Sequence, residues 1–375
     1  MNRRLAAGAA VVGTAAVLTL AGCGADGDDG ESSGAGTIGV AMPTESSERW
    51  ITDGETLESG LEEAGYDVDL RYAGDDTAGF KQADQVQAMI DGGAELLIIA
   101  AVDGAGLGDQ LEAAAAQNIP VIAYDRLLLD SDGVDHYVTF DNYAVGVAQA
   151  TSLLRGLGVV DADGEPTGDE GPYNIELFAG SLDDNNAHIF WQGALDTLQP
   201  YLDDGVVKVP SGQTDIVQAE SWRWSGDLAQ DRMSGLLAQF YGDGTTLDGV
   251  LSPYDGISRG AITALALDGL GPTIADGMPV VTGQDAEADS VKLINEKMQY
   301  STVFKDTRAL ADEAVRAAVA YLEGGEPEVN DTGTYDNGVK VVPTFLLDVA
   351  TVYRRDIDEV LVDSGYYTAE EVDAG

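Results

Sequence analysis

The sequence predicts an α/β fold of two doubly wound parallel-sheet lobes, and three observations carry that reading. Apolar runs of strand length alternate with longer amphipathic segments of helical period, the pattern of a parallel sheet covered on both faces. The alternation restarts midway through the 375 residues and repeats the first half in detail. The chain is also long enough to divide into two domains.

The elements follow in order. Arg3 and Arg4 precede an apolar stretch, Leu5 to Leu20, which ends in Leu20-Ala21-Gly22-Cys23. A positive start, a short apolar run and small residues have the layout of an export signal. The Cys after Leu-Ala-Gly resembles the bacterial lipobox, whose thiol takes diacylglycerol and becomes the new N-terminus; two acyl chains anchor a soluble domain stably. An uncleaved membrane anchor fits less well, because the run is short for a spanning helix. Residues 1–22 therefore read as a signal peptide and Cys23 as a lipidation site. Residues 23–36 lack large apolar side chains and read as a flexible tether. Cys23 is the only cysteine, so the mature domain has no disulfide and rests on its core.

From Thr37 the strand candidates are Ile38–Met42, Val68–Tyr72, Leu96–Ala101, Val121–Tyr124 and Val138–Phe140. Helical segments lie between them at Trp50–Ala64, Phe80–Asp91 and Leu107–Gln117. The second series of strands is Ile175–Phe178, Val206–Val209, Gly249–Leu251, Val280–Thr282 and Ser301–Phe304. Its helices are Ala187–Leu198, Ala229–Phe240, Ser258–Leu267 and Ser290–Glu296, and the longer Arg308–Leu322 follows. The halves match locally: a strand running into Asp103-Gly104 parallels one running into Asp255-Gly256. Ile119-Pro120-Val121-Ile122 likewise parallels Met278-Pro279-Val280-Val281, and each stretch leads to an Asp, Asp125 or Asp285. Ligand groups in such folds sit at the carboxyl ends of strands, so the two sets of ends are expected to face one cleft.

Composition excludes several functions. Acidic residues number 66 against 19 basic ones, a net charge of −47 that repels phosphate backbones, so nucleic acid is not a partner. The glycine run 104–108 follows a strand, but the third glycine of a dinucleotide fingerprint would fall on Asp109, which would repel a pyrophosphate. No phosphate loop and no nucleophile elbow occurs. The two histidines, His136 and His188, lie outside any ligand spacing and read as surface or lobe-filling residues. No metal site, cofactor or catalytic group is expected.

The strand ends instead carry groups suited to a neutral polyol. Its hydroxyls match planar charged groups and amides, and its C–H face matches flat aromatics. Arg49-Trp50 follows the first strand, Asp125-Arg126 the fourth and Asp141-Asn142 the fifth. In the second half come Asp183-Asp184-Asn185-Asn186, the loop Trp222-Arg223-Trp224, Tyr254-Asp255, Gln284-Asp285 and Lys305. Each alone is more often a cap or turn residue; their recurrence at one edge favours a joint site.

At these residues the chain resembles the periplasmic sugar-binding proteins of the type I (ribose/galactose-binding-like) fold. Within them it is most similar to the multiple-sugar-binding and D-xylose-binding receptors of ABC transporters. The resemblance runs from about Thr37 to Tyr367. It is carried by Ile38–Thr44 with Ser47–Trp50, Ile122–Arg126, Thr139–Asn142, Asn174–Phe178, Asp183–Asn186, Leu251–Gly256, Gly283–Ala286 and Phe304–Arg308. It implies that Trp50 and Trp224 sandwich a sugar ring, and that Asp125, Arg126, Asn142, Asn185, Asp285 and Lys305 bond its hydroxyls. Arg49, Tyr254 and Asp255 join them, although many relatives have Asn where Tyr254 stands.

The resemblance also implies a three-segment hinge, with crossings near Asp141, near Lys305–Asp306 and between Tyr335 and Pro343. The lobes would comprise 37–141 with 306–338, and 142–305 with 339–375. The function implied is that of a monomeric, lipid-anchored extracytoplasmic binding protein, not an enzyme. It would take a monosaccharide of the xylose, glucose or galactose class and pass it to an ABC permease. The alternative is a sensor that presents the bound sugar to a chemoreceptor or sensor kinase. A sugar-responsive repressor would need a basic helix-turn-helix where this chain has a lipobox and an acidic tether; a glycoside hydrolase is the remaining rival.

Overall fold

The computed structural model describes residues 36–374 apart from Ser46 and residues 75–78. The signal peptide, Cys23 and the tether read from the sequence lie outside the described residues.

The first sheet is built from β1 (Thr37–Met42), β2 (Asp67–Tyr72), β3 (Leu96–Ile99), β4 (Val121–Tyr124) and β5 (His136–Phe140). The second takes β6 (Tyr173–Leu177), β7 (Val207–Lys208), β8 (Gly249–Leu251) and β9 (Val280–Val281); β10 (Ser301–Phe304), β11 (Thr344–Leu347) and β12 (Ala350–Tyr353) complete the set. The first sheet has the order β11-β5-β4-β3-β1-β2 with every pair parallel. The second has the parallel order β7-β6-β8-β9, and a bridge from Gln284 to Val303 leads on to β10, which pairs antiparallel with β12.

Apolar period explains the layering. In β3, Leu96 and Ile98 face one side and pack with the helices Glu48–Glu63 and Thr307–Leu322. Leu97 and Ile99 face the other side and pack with Phe80–Asp91 and Gly108–Ala116. A strand buried on both faces has no polar side to expose, hence its unbroken run of Leu and Ile. The second sheet repeats this: Val250 packs toward Gly226–Leu236 and Asp255–Leu267, and Leu251 toward Asn142–Leu157 and Asn185–Asp203.

The chain changes lobe at helix starts. After β5, the Asp141 carboxylate caps Ala144 N (2.9 Å) and the helix Asn142–Leu157 joins the second core. After β10, the Asp306 carboxylate caps Arg308 N (3.1 Å) and the helix Thr307–Leu322 joins the first. The third change differs from the sequence reading. β11 lies in the first sheet beside β5, with Thr344 opposite Tyr137, so residues 339–347 belong with the first lobe. The crossing therefore falls between Leu347 and Ala350. A four-residue strand against an already parallel edge leaves little local signal, and the pairing is decided by tertiary register. The helix Asn142–Leu157 and the strands β11 and β12 were not assigned from sequence.

Candidate functional site

A cleft of about 700 Å³ opens at the carboxyl ends of the strands, lined by residues of both lobes. Two of its acidic residues, Asp125 and Asp285, are placed by the same local device. Each leaves its strand with a left-handed backbone, φ 59° and 89°. Each donates its N–H to the carbonyl of the neighbouring strand at 2.8 Å, Asp125 to Val138 and Asp285 to Val303. Arg223 and Trp224, also at the cleft, have φ 54° and 58°. Non-glycine residues enter this region at a cost of about 1–3 kcal/mol, tolerated where the surroundings hold a side chain in a working position.

Arg49, from the first helix, joins the two acids. Its Nη2 donates to the Asp125 carboxylate, its Nη1 lies 3.8 Å from Asp285 Oδ1, and its Nε lies 3.4 Å from Asp53. Lys305 Nζ reaches Asp285 Oδ1 at 2.9 Å. Burial pushes the Asp125 pKa up, but the charges of Arg49 and Lys305 outweigh it, and the carboxyl is held below its usual range. Asp53 is wholly buried; burial outweighs the attraction of Arg49 and lifts its pKa to about 6.

The Asp125 carbonyl is clamped as firmly as its side chain. It accepts from Tyr137 Oη at 2.6 Å, Thr139 Oγ1 at 3.0 Å and Asn186 Nδ2 at 2.8 Å. Asn186 belongs to the second lobe, so this bond crosses the cleft. Arg126 Nε to Asp184 Oδ2 (3.1 Å), Arg223 Nη1 to the Val102 carbonyl (3.0 Å) and Gly104 N to the Asp183 carbonyl (3.4 Å) also cross it. The lobes are therefore in contact around a space that remains between them.

Aromatic rings form the apolar walls. Trp224 stands edge-to-face with Phe190 (6.4 Å) and Tyr254 (6.0 Å), and among the described residues its buried Nε1 has no partner. Trp50 is 5% exposed, with the Arg49 and Arg126 guanidiniums 4.4 and 5.2 Å from its ring. Tyr254 donates to Glu287 Oε1 at 2.7 Å, and Glu287 Oε2 is paired with Arg259 at 2.6 Å.

Of the residues singled out from sequence, Arg49, Trp50, Asp125, Arg126, Trp224, Tyr254, Asp285 and Lys305 line this cleft. Three do not. Asp255 is fully buried and turned into the second lobe, where its carboxylate accepts from Glu287 N (2.9 Å), Thr302 Oγ1 (3.1 Å) and Gln299 Nε2 (2.8 Å). Burial, then the nearby Glu287, raises its pKa well above normal. Asn142 sits behind the wall and donates to Asn186 at 2.9 Å. Asn185 is half-buried outside the lining, while its neighbour Asn186 lies in it, because Asp184 caps the helix there at Asn186 N. Sequence reading also passed over Phe190, one turn beyond Asn186; the i, i+4 spacing on a helix that starts at the cleft was the available signal. His136 is a buried strand residue, the lobe-filling of the two readings, and among the described residues neither ring nitrogen has a partner. No group of metal-ligating side chains that could hold an ion occurs among the described residues.

Two parallel-sheet lobes, joined by chain crossings and facing each other across a polar, aromatic-walled cleft, define the class of two-lobed extracytoplasmic solute-binding proteins. The chain belongs to the periplasmic binding protein domain family, whose model matches residues 38–326. It is 48% identical over 90% of its length to the multiple sugar-binding periplasmic receptor ChvE of Rhizobium radiobacter, 92% of which is covered. It is 31% identical to the D-xylose-binding periplasmic protein of Escherichia coli, over 89% of this chain and 92% of that one. A crystal structure of an ABC transporter solute-binding protein from Clostridium phytofermentans with bound β-D-glucose superposes with TM-score 0.83. That protein is 42% identical, and the match covers 90% of this chain and 99% of that one. These relatives are receptors rather than enzymes.

Proposed function

We propose that this chain binds a monosaccharide of the xylose, glucose or galactose class in the cleft and delivers it to an ABC importer. The observation that carries the reading is the opposed pair Asp125 and Asp285, joined by Arg49, with Lys305 on Asp285 and Trp224 in the same lining. Charged acceptors and donors within one buried network offer paired hydrogen bonds to vicinal hydroxyls, and the indole covers a C–H face. Nothing in the network supplies a nucleophile poised against a base, so the sugar leaves unchanged. Opening about the three crossings would admit it, and the closed surface is what a permease would read. A thermal-shift screen across monosaccharides tests the reading: a sugar at a hundredfold its Kd stabilises by about 2.7 kcal/mol. A flat screen refutes it. Cys23 is proposed as the diacylglycerol site that keeps the protein at the membrane; mass spectrometry of membrane-extracted protein that finds Met1 intact, or an unmodified Cys23, refutes that part.

A further inference from the structure

Asp53 is a wholly buried carboxylate that lies behind the cleft lining rather than in it. It stands on the first helix, Glu48–Glu63, four residues after Arg49 and therefore on the same face. The Arg49 guanidinium has three nitrogens, and each faces a different carboxylate. Nη2 donates to Asp125, Nη1 lies 3.8 Å from Asp285 and Nε lies 3.4 Å from Asp53, while the carbon between them stands 4.4 Å from the Trp50 ring. Asp125 and Asp285 line the cleft, where a sugar's hydroxyls would compete for them. Asp53 is out of a ligand's reach, so it keeps its hold on the planar fork when the other two exchange partners.

That placement has a cost. Burial of a carboxylate outweighs the attraction of a single cation, and at Asp53 it lifts the pKa to about 6. The surrounding elements do not relieve it. Tyr124 and Asp125 face it from the end of β4, Thr307 from the start of the helix Thr307–Leu322, Tyr72 from β2 and Tyr366 from the C-terminal segment. Asp125 adds like charge and is held below its usual range, and burial raises all three tyrosines, so they stay neutral. Of these groups, Asp53 is the one that changes charge between pH 5 and 7.

We infer that Asp53 is a positioning residue for the sugar site: from behind the wall it holds Arg49 in the direction that spans Asp125 and Asp285. This inference rests on the monosaccharide reading of the cleft.

Calorimetric titration with glucose and xylose, neither of which ionises between pH 5 and 7.5, tests it in the wild type, Asp53→Asn, Asp53→Ala and Asp184→Asn. At pH 5 only about one-tenth of Asp53 is ionised, so wild-type affinity should be at least about threefold weaker there than at pH 7.5. Both Asp53 variants should bind at least about threefold more weakly than wild type at pH 7.5, with no further loss at pH 5, while urea unfolding shows them folded. Asp184 also has a pKa raised by burial and pairs with Arg126 beside Trp50; Asp184→Asn should keep the wild-type pH dependence. A flat wild-type profile, wild-type affinity or a sloping profile in a folded Asp53 variant, or a flat profile in Asp184→Asn overturns the role of Asp53 and leaves the sugar site standing. If neither Asp53 variant folds, the wild-type and Asp184→Asn profiles decide it. Binding of neither sugar by the wild type at pH 7.5 overturns the monosaccharide reading, and this role with it.

Discussion

Gly180 is where the cleft is most sensitive to one added carbon. It follows β6, and a Cβ built on it would overlap three atoms of the Trp224 six-membered ring. That ring cannot retreat freely, because Phe190 and Tyr254 hold it edge-to-face and its own backbone is left-handed. Gly180→Ala must therefore push the indole out of its position. If stacking covers about 80–120 Å² of ring and sugar at ~25 cal/mol/Å², its loss costs ~2–3 kcal/mol, or roughly 30- to 150-fold in Kd. Overpacking should also lower folding stability by about 1–3 kcal/mol. The assay is calorimetric titration with the best monosaccharide, alongside urea unfolding, for Gly180→Ala, Trp224→Ala and the double variant. Both single changes act through one ring, so their losses in affinity should not add. Wild-type affinity in Gly180→Ala, or additive losses in the double variant, would refute the argument that Gly180 exists to seat Trp224.

Other expectations follow from the buried charges. Asp125→Asn removes the charge that Arg49 faces, and affinity for the sugar should fall by about 1–3 kcal/mol; titration at constant ionic strength checks this. Asp255→Ala should do the reverse of a site mutant: it strands three donors inside the second lobe, so stability falls by about 1–3 kcal/mol while affinity falls far less than in Asp125→Asn. His136 has a pKa lowered by burial from 6.5 to about 4, so the unfolded chain binds the extra proton first. Stability from this group is complete above pH 6.5 and is lost as pH falls toward 4, by up to about 3 kcal/mol. Asp53 acts in the opposite sense, because its pKa is raised from 3.8 to about 6 and its ionisation weakens the fold as pH rises through that window. Urea unfolding between pH 4 and 7 should thus show His136→Leu losing less stability on acidification than wild type, and Asp53→Asn losing more. Parallel curves for all three proteins would contradict the assignment.

The sequence by itself determined the architecture. Runs such as Leu96-Leu97-Ile98-Ile99 have no polar face, and the recurrence of such runs between helical segments admits little but two doubly wound lobes. It also located the cleft, since strand ends in such lobes converge, and it named Arg49, Trp50, Asp125, Arg126, Trp224, Tyr254, Asp285 and Lys305, all of which line it. What it could not decide was direction. Asp255 directly follows a residue that lines the cleft yet turns into the core, and Asn185 lies outside a wall that Asn186 helps to build. Adjacent residues at a helix start differ by about 100° in heading, so a cap set one residue along exchanges the ligand-facing side chain for a structural one. Residues 339–347, with the edge strand β11, were placed in the wrong lobe for a related reason. Thr344–Leu347 is compatible with either lobe, and only its register against His136–Phe140 assigns it to the first. Periodicity is a property of the chain and can be read from it. The heading of one side chain at a strand end, and the sheet a short edge strand joins, are fixed by partners more than a hundred residues away, such as Arg223 for Val102 and Phe345 for Val138.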